Sequence, residues 1–230
     1  INTGRIFPIN PNLRAQATAL LSVDKFHEQT GLGRTSGGVQ GELQYRASGD
    51  FDAVTYALFA RGWIDAYESK LRSGSRVSAG ANARRSLTDR VDAFGEVGVN
   101  WRRAESDVFE GREYAARFNF DYSLGSAGTA YLTGEWRRGD TFASGFASLW
   151  NLNLADVFVR DDALERGEFF SYRFEATTLL GTLGYNRPLG PRDSIDFSYR
   201  RIRTTPLETP GSGPSSYNLN QYSILCLMRF

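Results

Sequence analysis

Alternation with a period of two constrains this chain more than any other feature. Over residues 13–24, Leu13, Ala15, Ala17, Ala19, Leu21 and Val23 fall on one side. Arg14, Gln16, Thr18, Leu20, Ser22 and Asp24 fall on the other. A helix would mix these sets, whereas a pleated strand separates them. Residues 91–102 and 113–123 repeat the pattern. Ten segments are read in this way, at 12–24, 38–48, 52–64, 76–86, 90–102, 113–123, 128–138, 169–186, 194–203 and 219–230. The segment at 169–186 changes phase near Thr178, which predicts a bulge. The others are close to the ~9–11 residues that a tilted strand needs to cross a bilayer.

The connections alternate in length. Those near 49–51, 87–89, 124–127 and 187–193 are short and turn-like; those near 25–37, 65–75, 103–112, 139–168 and 204–218 are longer and polar. Short turns at one end and long loops at the other predict an all-β, up-and-down antiparallel transmembrane barrel, with periplasmic turns and extracellular loops. Ten strands are expected, or twelve if 139–168 supplies two more. Residues 1–230 read as a single domain, and ten strands put both chain ends on the periplasmic side.

Composition removes the competing classes. No stretch approaches the ~20 apolar residues of a spanning helix, and mean hydropathy is −0.39. A barrel escapes that test because alternation dilutes its apolar residues. Lys+Arg number 27 and Asp+Glu 26, so no bulk field for nucleic acid is expected. Only Lys25 and Lys70 are lysines, and arginine suits fixed, paired positions. One cysteine and one histidine, Cys226 and His27, exclude an internal disulfide and any multi-cysteine or multi-histidine metal site. The chain begins at Ile1 without an initiator Met or signal peptide, as a mature or trimmed chain would.

A lipocalin-like barrel or sandwich would turn the apolar face inward. Aromatic placement favours the opposite orientation. Trp101, Tyr114, Trp136, Tyr172 and Tyr222 fall near the long-loop ends of the apolar face, and Tyr45, Tyr122 and Phe230 near the short-turn ends. Two aromatic rows around a band of Ala, Val and Leu form the girdles of a lipid-facing surface.

The last segment places Tyr222, Ile224, Cys226, Met228 and Phe230 on one face and stops at the aromatic. This resembles the C-terminal β-signal of bacterial outer-membrane β-barrel proteins. The resemblance implies a Gram-negative outer membrane, contact with the lipid bilayer and lipopolysaccharide, and recognition by the barrel assembly machinery. Within that class the chain is similar to β-barrel porins, with no subfamily identified.

With the apolar face toward lipid, the other face lines the lumen. It carries Arg14, Arg46, Arg61, Arg84, Arg102, Arg117, Arg137, Arg173, Arg200 and Arg229. Asp24, Glu42, Asp92, Glu96, Glu113, Asp121, Glu135, Glu175 and Asp196 share it. An ion-selective pore would favour one sign at a constriction. The near balance predicts a charge-paired, largely filled interior, with Arg117 between Glu96 and Glu135 and with Arg173 and Arg200 flanking Glu175.

Candidate chemistry is sparse. His27 near Asp24 and Glu28 is similar to the Asp–His pair of the omptin proteases, but no further acidic pair is located, and a lone loop histidine is more often solvated. Gly31-Leu-Gly33-Arg-Thr-Ser-Gly37-Gly38 lacks the Lys-Ser/Thr ending of a phosphate loop. Asp140, Asp156, Asp161, Asp162, Glu165 and Glu168 could suit Ca²⁺ by their chemistry, without the spacing of a calcium loop. Trp150, Leu154, Val157 and Phe158, at roughly helical spacing, could cap the mouth, plug it, add strands or meet a partner. No catalytic residue, cofactor or metal is expected. The expected function is a structural or interaction barrel that presents loops or docks an outer-membrane assembly. The alternatives are a porin-like conduit gated by 139–168 and a hydrolase using His27.

Overall fold

The computed structural model describes residues 1–146, 148, 153–164, 169–190, 193–208 and 216–228. Within them, twelve strands form one antiparallel sheet. They are β1 (Asn2–Asn10), β2 (Leu13–Asp24), β3 (Arg34–Arg46), β4 (Thr55–Tyr67), β5 (Gly74–Thr88), β6 (Val91–Ala104), β7 (Gly111–Ser123), β8 (Thr129–Phe146), β9 (Val157–Arg160), β10 (Phe169–Pro188), β11 (Ser194–Pro206) and β12 (Tyr217–Leu227). Each strand pairs with the next, except that β8 pairs directly with β10 and β9 lies along the other edge of β10. The expected contrast between short and long connections is only partial: at the turn end 11–12 and 89–90 are tight, but 47–54 is longer than 68–73 and 105–110 at the loop end. Among the described residues no helix is long and apolar enough to cross a membrane.

The strand count differs from ten for two reasons. Residues 139–168 supply one additional strand, β9, and the N-terminal residues supply the other. The β1 sequence, Asn-Thr-Gly-Arg-Ile-Phe-Pro-Ile-Asn, has no clean alternation and contains a proline. It forms a strand nonetheless, on the sheet edge, with its register shifting between Pro8 and Asn10. An edge or a bulge is where a strand tolerates proline, because no ladder N–H is required there. The bulge expected near Thr178 is absent: β10 keeps continuous register with both β8 and β11. A change of side occurs on β8. Trp136 lies on the side opposite Glu135, yet Phe142, of the same parity, meets Phe109 and Arg102 on the Glu135 side. Gly139 lies between them with φ +141, a conformation that side chains with a Cβ rarely adopt.

The sheet is an open arc. Twelve strands with β9 off the path leave eleven in line, so β1 and β12 run in the same direction and present two free edges among the described residues. Ile1 accordingly lies at the long-loop end, where its carbonyl accepts the Leu21 N–H at 2.9 Å. The expectation that both chain ends lie at the short-turn end fails at Ile1, whereas β12 runs to Leu227 opposite Ser194 at that end.

Apolar residues are distributed inside out. Val39, Leu58, Ile64, Val97, Leu183 and Ile224 are all more than half exposed. The accessible surface is 14735 Å², whereas a compact soluble chain of this mass shows about 10,400 Å². The largest fully buried side chains among the described residues, Val108, Phe109, Asp161 and Ser171, belong to the long-loop end.

Candidate functional site: a latched rim

Three connections at the long-loop end share one construction. Single 3₁₀ turns at Thr30–Leu32, Lys70–Arg72 and Asp107–Phe109 follow β2, β4 and β6. The residue after each turn donates back into it, Gly33 to Thr30, Ser73 to Lys70 and Glu110 to Asp107. The turns then step onto one another. Glu68 and Ser69 N–H donate to the carbonyls of Gly33 and Gly31, and Glu105 and Ser106 N–H donate to those of Ser73 and Leu71 in the same spacing. At the third turn a side chain takes over: the Arg173 guanidinium donates to the carbonyls of Asp107 at 2.6 Å and Glu110 at 3.3 Å. The sequence carries the signal as Glu-Ser-x-x-x-x-Gly at 68–74 and again at 105–111. Reading strands by alternation passes over it because it lies between them.

The segment after β9 locks onto this staircase. Asp161 is 2% exposed. Its carboxylate accepts from Arg72 at 2.5 Å, Ser171 at 2.6 Å, Ser144 at 3.0 Å and the Ala163 N–H at 3.0 Å. Burial alone would push this carboxyl up. The bonds from Ser171 and the Ala163 N–H and the charge of Arg72 outweigh it and hold Asp161 below the usual carboxylate range. Ser69 donates to the neighbouring Asp162. Ala163 is fully buried and lies against Gly31, where an added Cβ would come within 2.4 Å of the Ala163 Cα. The 161–163 segment therefore touches both the first and second turns, although it leaves the sheet at β10. The Arg72 guanidinium also lies 4.3 Å from the centroid of the Phe109 ring, and that ring meets Phe142 edge-on at 5.3 Å.

The residues singled out in 139–168 separate. Leu154 is buried against Tyr172, Phe174 and Ala176, so Tyr172 is core and not girdle. Val157 and Phe158 lie in β9, opposite Arg173 and Tyr172, and not on a helix. Phe158 is 54% exposed. Trp150 lies outside the described residues.

The charges expected to line a lumen pair differently from the expectation. Arg117 does stand in register between Glu96 and Glu135, but Glu96 pairs with Arg61 at 3.1 Å and Glu135 with Arg137 at 2.6 Å. Among the described residues Arg117 joins no ion pair. Those arginines compete for the same carboxylates, and Arg61 reaches Glu96 from two strands away. Arg173 approaches Asp140 at 3.8 Å and the third turn, and Glu175 is exposed. Arg200 donates to Thr182 at 3.4 Å, well along the strand from Glu175. Tyr222, Ile224 and Cys226 share a face of β12 with pairs to Tyr199, Phe197 and Ile195. Met228 follows β12 and is exposed; Phe230, like Arg229, lies outside the described residues. His27 is exposed, and Asp24, its expected partner, accepts from Arg34 instead. No cluster suited to a metal ion occurs among the described residues.

No family model matches the chain, and no curated protein does. Among solved structures it is similar to the siderophore receptor PiuA from Acinetobacter baumannii, with 10% identity and a TM-score of 0.33. The match covers 98% of this chain and 43% of that one, so the chain spans less than half the receptor's length. A score of 0.33 is too low for that receptor's fold or activity to inform this protein.

Proposed function

We propose that the protein is an integral β-barrel protein of a bacterial outer membrane whose sheet forms the wall of a conduit, with 161–163 as the closure of its mouth. The observation that carries the reading is the Asp161 latch: a buried carboxylate tied to Arg72, reaching from β10 to the turns after β2 and β4. Packing along one strand would not require such a reach. A span across the rim does, and 161–163 bonded there narrows the opening above the polar face. The apolar face supplies the lipid contact, and unpaired lumen cations such as Arg117 favour a wet interior over a filled one. Planar-bilayer recording tests this. Arg72→Ala should raise conductance or open probability relative to the parent protein; conductance unchanged by the substitution would count against a gate.

A second reading, a barrel that docks another outer-membrane protein, is favoured by Phe158. Its ring is 54% exposed, beside Phe170 at 6.5 Å, on a segment that would stand outside the cell. Exposed aromatics are the usual anchors of such contacts.

A further inference from the structure

We propose that a cavity adjoining the Asp161 latch is the solute site of the conduit. Its ligand is an organic carboxylate with an aromatic body, the carboxylate on Arg102 and the ring against Phe142 and Trp63. The inference rests on the conduit reading above and names the class of its solute.

The cavity is built on one register row. Trp63 pairs with Arg76, and Arg76 with Arg102. Paired residues project to the same side of a sheet, and this is the side of Glu96. Phe142 reaches the row from β8 after the change of side at Gly139. The space between them is about 490 Å³, within the range of small-molecule pockets. A chain of contacts joins it to the closure. Arg72, which holds Asp161, lies over the Phe109 ring; Phe109 meets Phe142 edge-on; and the Arg102 guanidinium lies 5.1 Å from the Phe142 centroid.

Around this space the arginines are matched, with Arg102 left over. Arg61 pairs with Glu96 and Arg76 with Asp65. Of the carboxylates on the wall, Glu113 accepts from Asn100 at 2.9 Å and lies 3.9 Å from Arg137. Asp140 accepts the Arg112 N–H at 2.7 Å and lies 3.8 Å from Arg173. Arg102 joins no ion pair among the described residues. Its neighbours are the neutral Tyr67 hydroxyl, Arg76 and Asp65, and Asp65 is already held by Arg76 and Ser36. Glu110 also reaches the wall but stands beyond ion-pair distance of Arg102. A half-buried guanidinium in this position gives up hydration without gaining a counter-charge. Lying over the Phe142 ring, it keeps its N–H edge free, and a carboxylate takes such an edge bidentately. The Phe142 ring is 38% exposed and Trp63 is half-buried, so the apolar wall is open to a ligand. An inorganic anion would leave that wall bare, and a neutral ring compound would leave Arg102 unmatched.

The test uses the full chain refolded in detergent and titrated calorimetrically with three probes. Benzoate carries ring and charge, benzyl alcohol the ring alone, and acetate the charge alone. Benzoate should bind at least about tenfold more tightly than either of the others, as a charged hydrogen-bonded contact implies. Arg102→Ala should lower benzoate affinity about tenfold or more on the same ground. Arg103→Ala, the next residue and on the opposite side of the sheet, should leave affinity within about twofold. Glu110→Gln, which removes the free carboxylate of the wall, should not weaken binding. Equal affinity for benzoate and benzyl alcohol, equal affinity for benzoate and acetate, undiminished affinity in Arg102→Ala, or loss in Glu110→Gln overturns the site. Heat-modifiable gel mobility shows that each variant is folded. Planar-bilayer recording separates the two claims. A protein that conducts but does not bind benzoate refutes this site alone. One that binds benzoate without conducting refutes the conduit and keeps the site, and one that does neither refutes both.

Discussion

Arg72 and Asp161 are 89 residues apart in sequence and 2.5 Å apart at Nη2 and Oδ2. Both are nearly excluded from solvent, at 8% and 2% exposure. Asp161→Ala therefore leaves a buried guanidinium without its counter-ion, a change that costs about 3–5 kcal/mol. The loss should be local. Hydrogen exchange should accelerate at 161–163 and at the 70–72 and 107–109 turns, while mid-strand amides of β5 to β7 remain protected. Uniform acceleration would mean that the latch stabilises the whole sheet and not the rim.

The same carboxylate sets a pH dependence. Its pKa is held below that of the unfolded chain, near 3.9. A group with a lowered folded pKa stabilises above the unfolded value and loses that contribution as pH falls through the folded value. Rim protection should thus persist through the ordinary carboxylate range and fail only at more acid pH. Proteolysis near 161–163, followed against pH, checks this. Asp161→Asn should abolish the dependence, and opening of the rim between pH 5 and 7 would contradict the assignment.

Much of this molecule is legible from alternation, and the limits are physical. Period two locates β2 to β8 and β10 to β12 because one side of each is apolar along its length. It misses β1, where Gly4 and Pro8 break the pattern and edge pairing alone makes the strand. It reads Leu154, Val157 and Phe158 as one helical stripe, although Leu154 joins a small core and the other two pair with β10. It places Glu96, Arg117 and Glu135 on one face, where they stand in register, but does not assign their partners. Arg61 crosses an intervening strand to Glu96, and sequence spacing contains no measure of that reach. Asp161 was legible only as one acid among six.

Charge pairing in the lumen gives a contrast between neighbours. Arg117 joins no ion pair among the described residues and is exposed, so Arg117→Ala should change stability by less than about 0.5 kcal/mol. Arg61→Ala removes the partner of Glu96, whose side chain is 18% exposed, and should cost about 1–3 kcal/mol. Urea unfolding from lipid vesicles ranks the two. A larger loss at Arg117 would restore the filled, fully paired interior.

On the other face, Val97 lies mid-strand in β6 and is 58% exposed. Val97→Arg should cost about 2–4 kcal/mol when the protein is refolded into a bilayer, as a charge near the midplane does. In the same assay Asn100→Arg, on the lumen side, should be tolerated. Tolerance at 97 with loss at 100 would reverse the two faces.

The central claim is that one face of this sheet meets lipid and the other meets water, and thiol accessibility reads it directly. In a Cys226→Ser background, single cysteines are placed at Glu96 and Val97, adjacent residues that point to opposite sides, and the protein is inserted into vesicles. Cysteine at 96 should react with a charged, membrane-impermeant maleimide, whereas cysteine at 97 should react only with a lipid-soluble one. Reaction of both positions with the charged reagent, or the reverse assignment, would contradict the account.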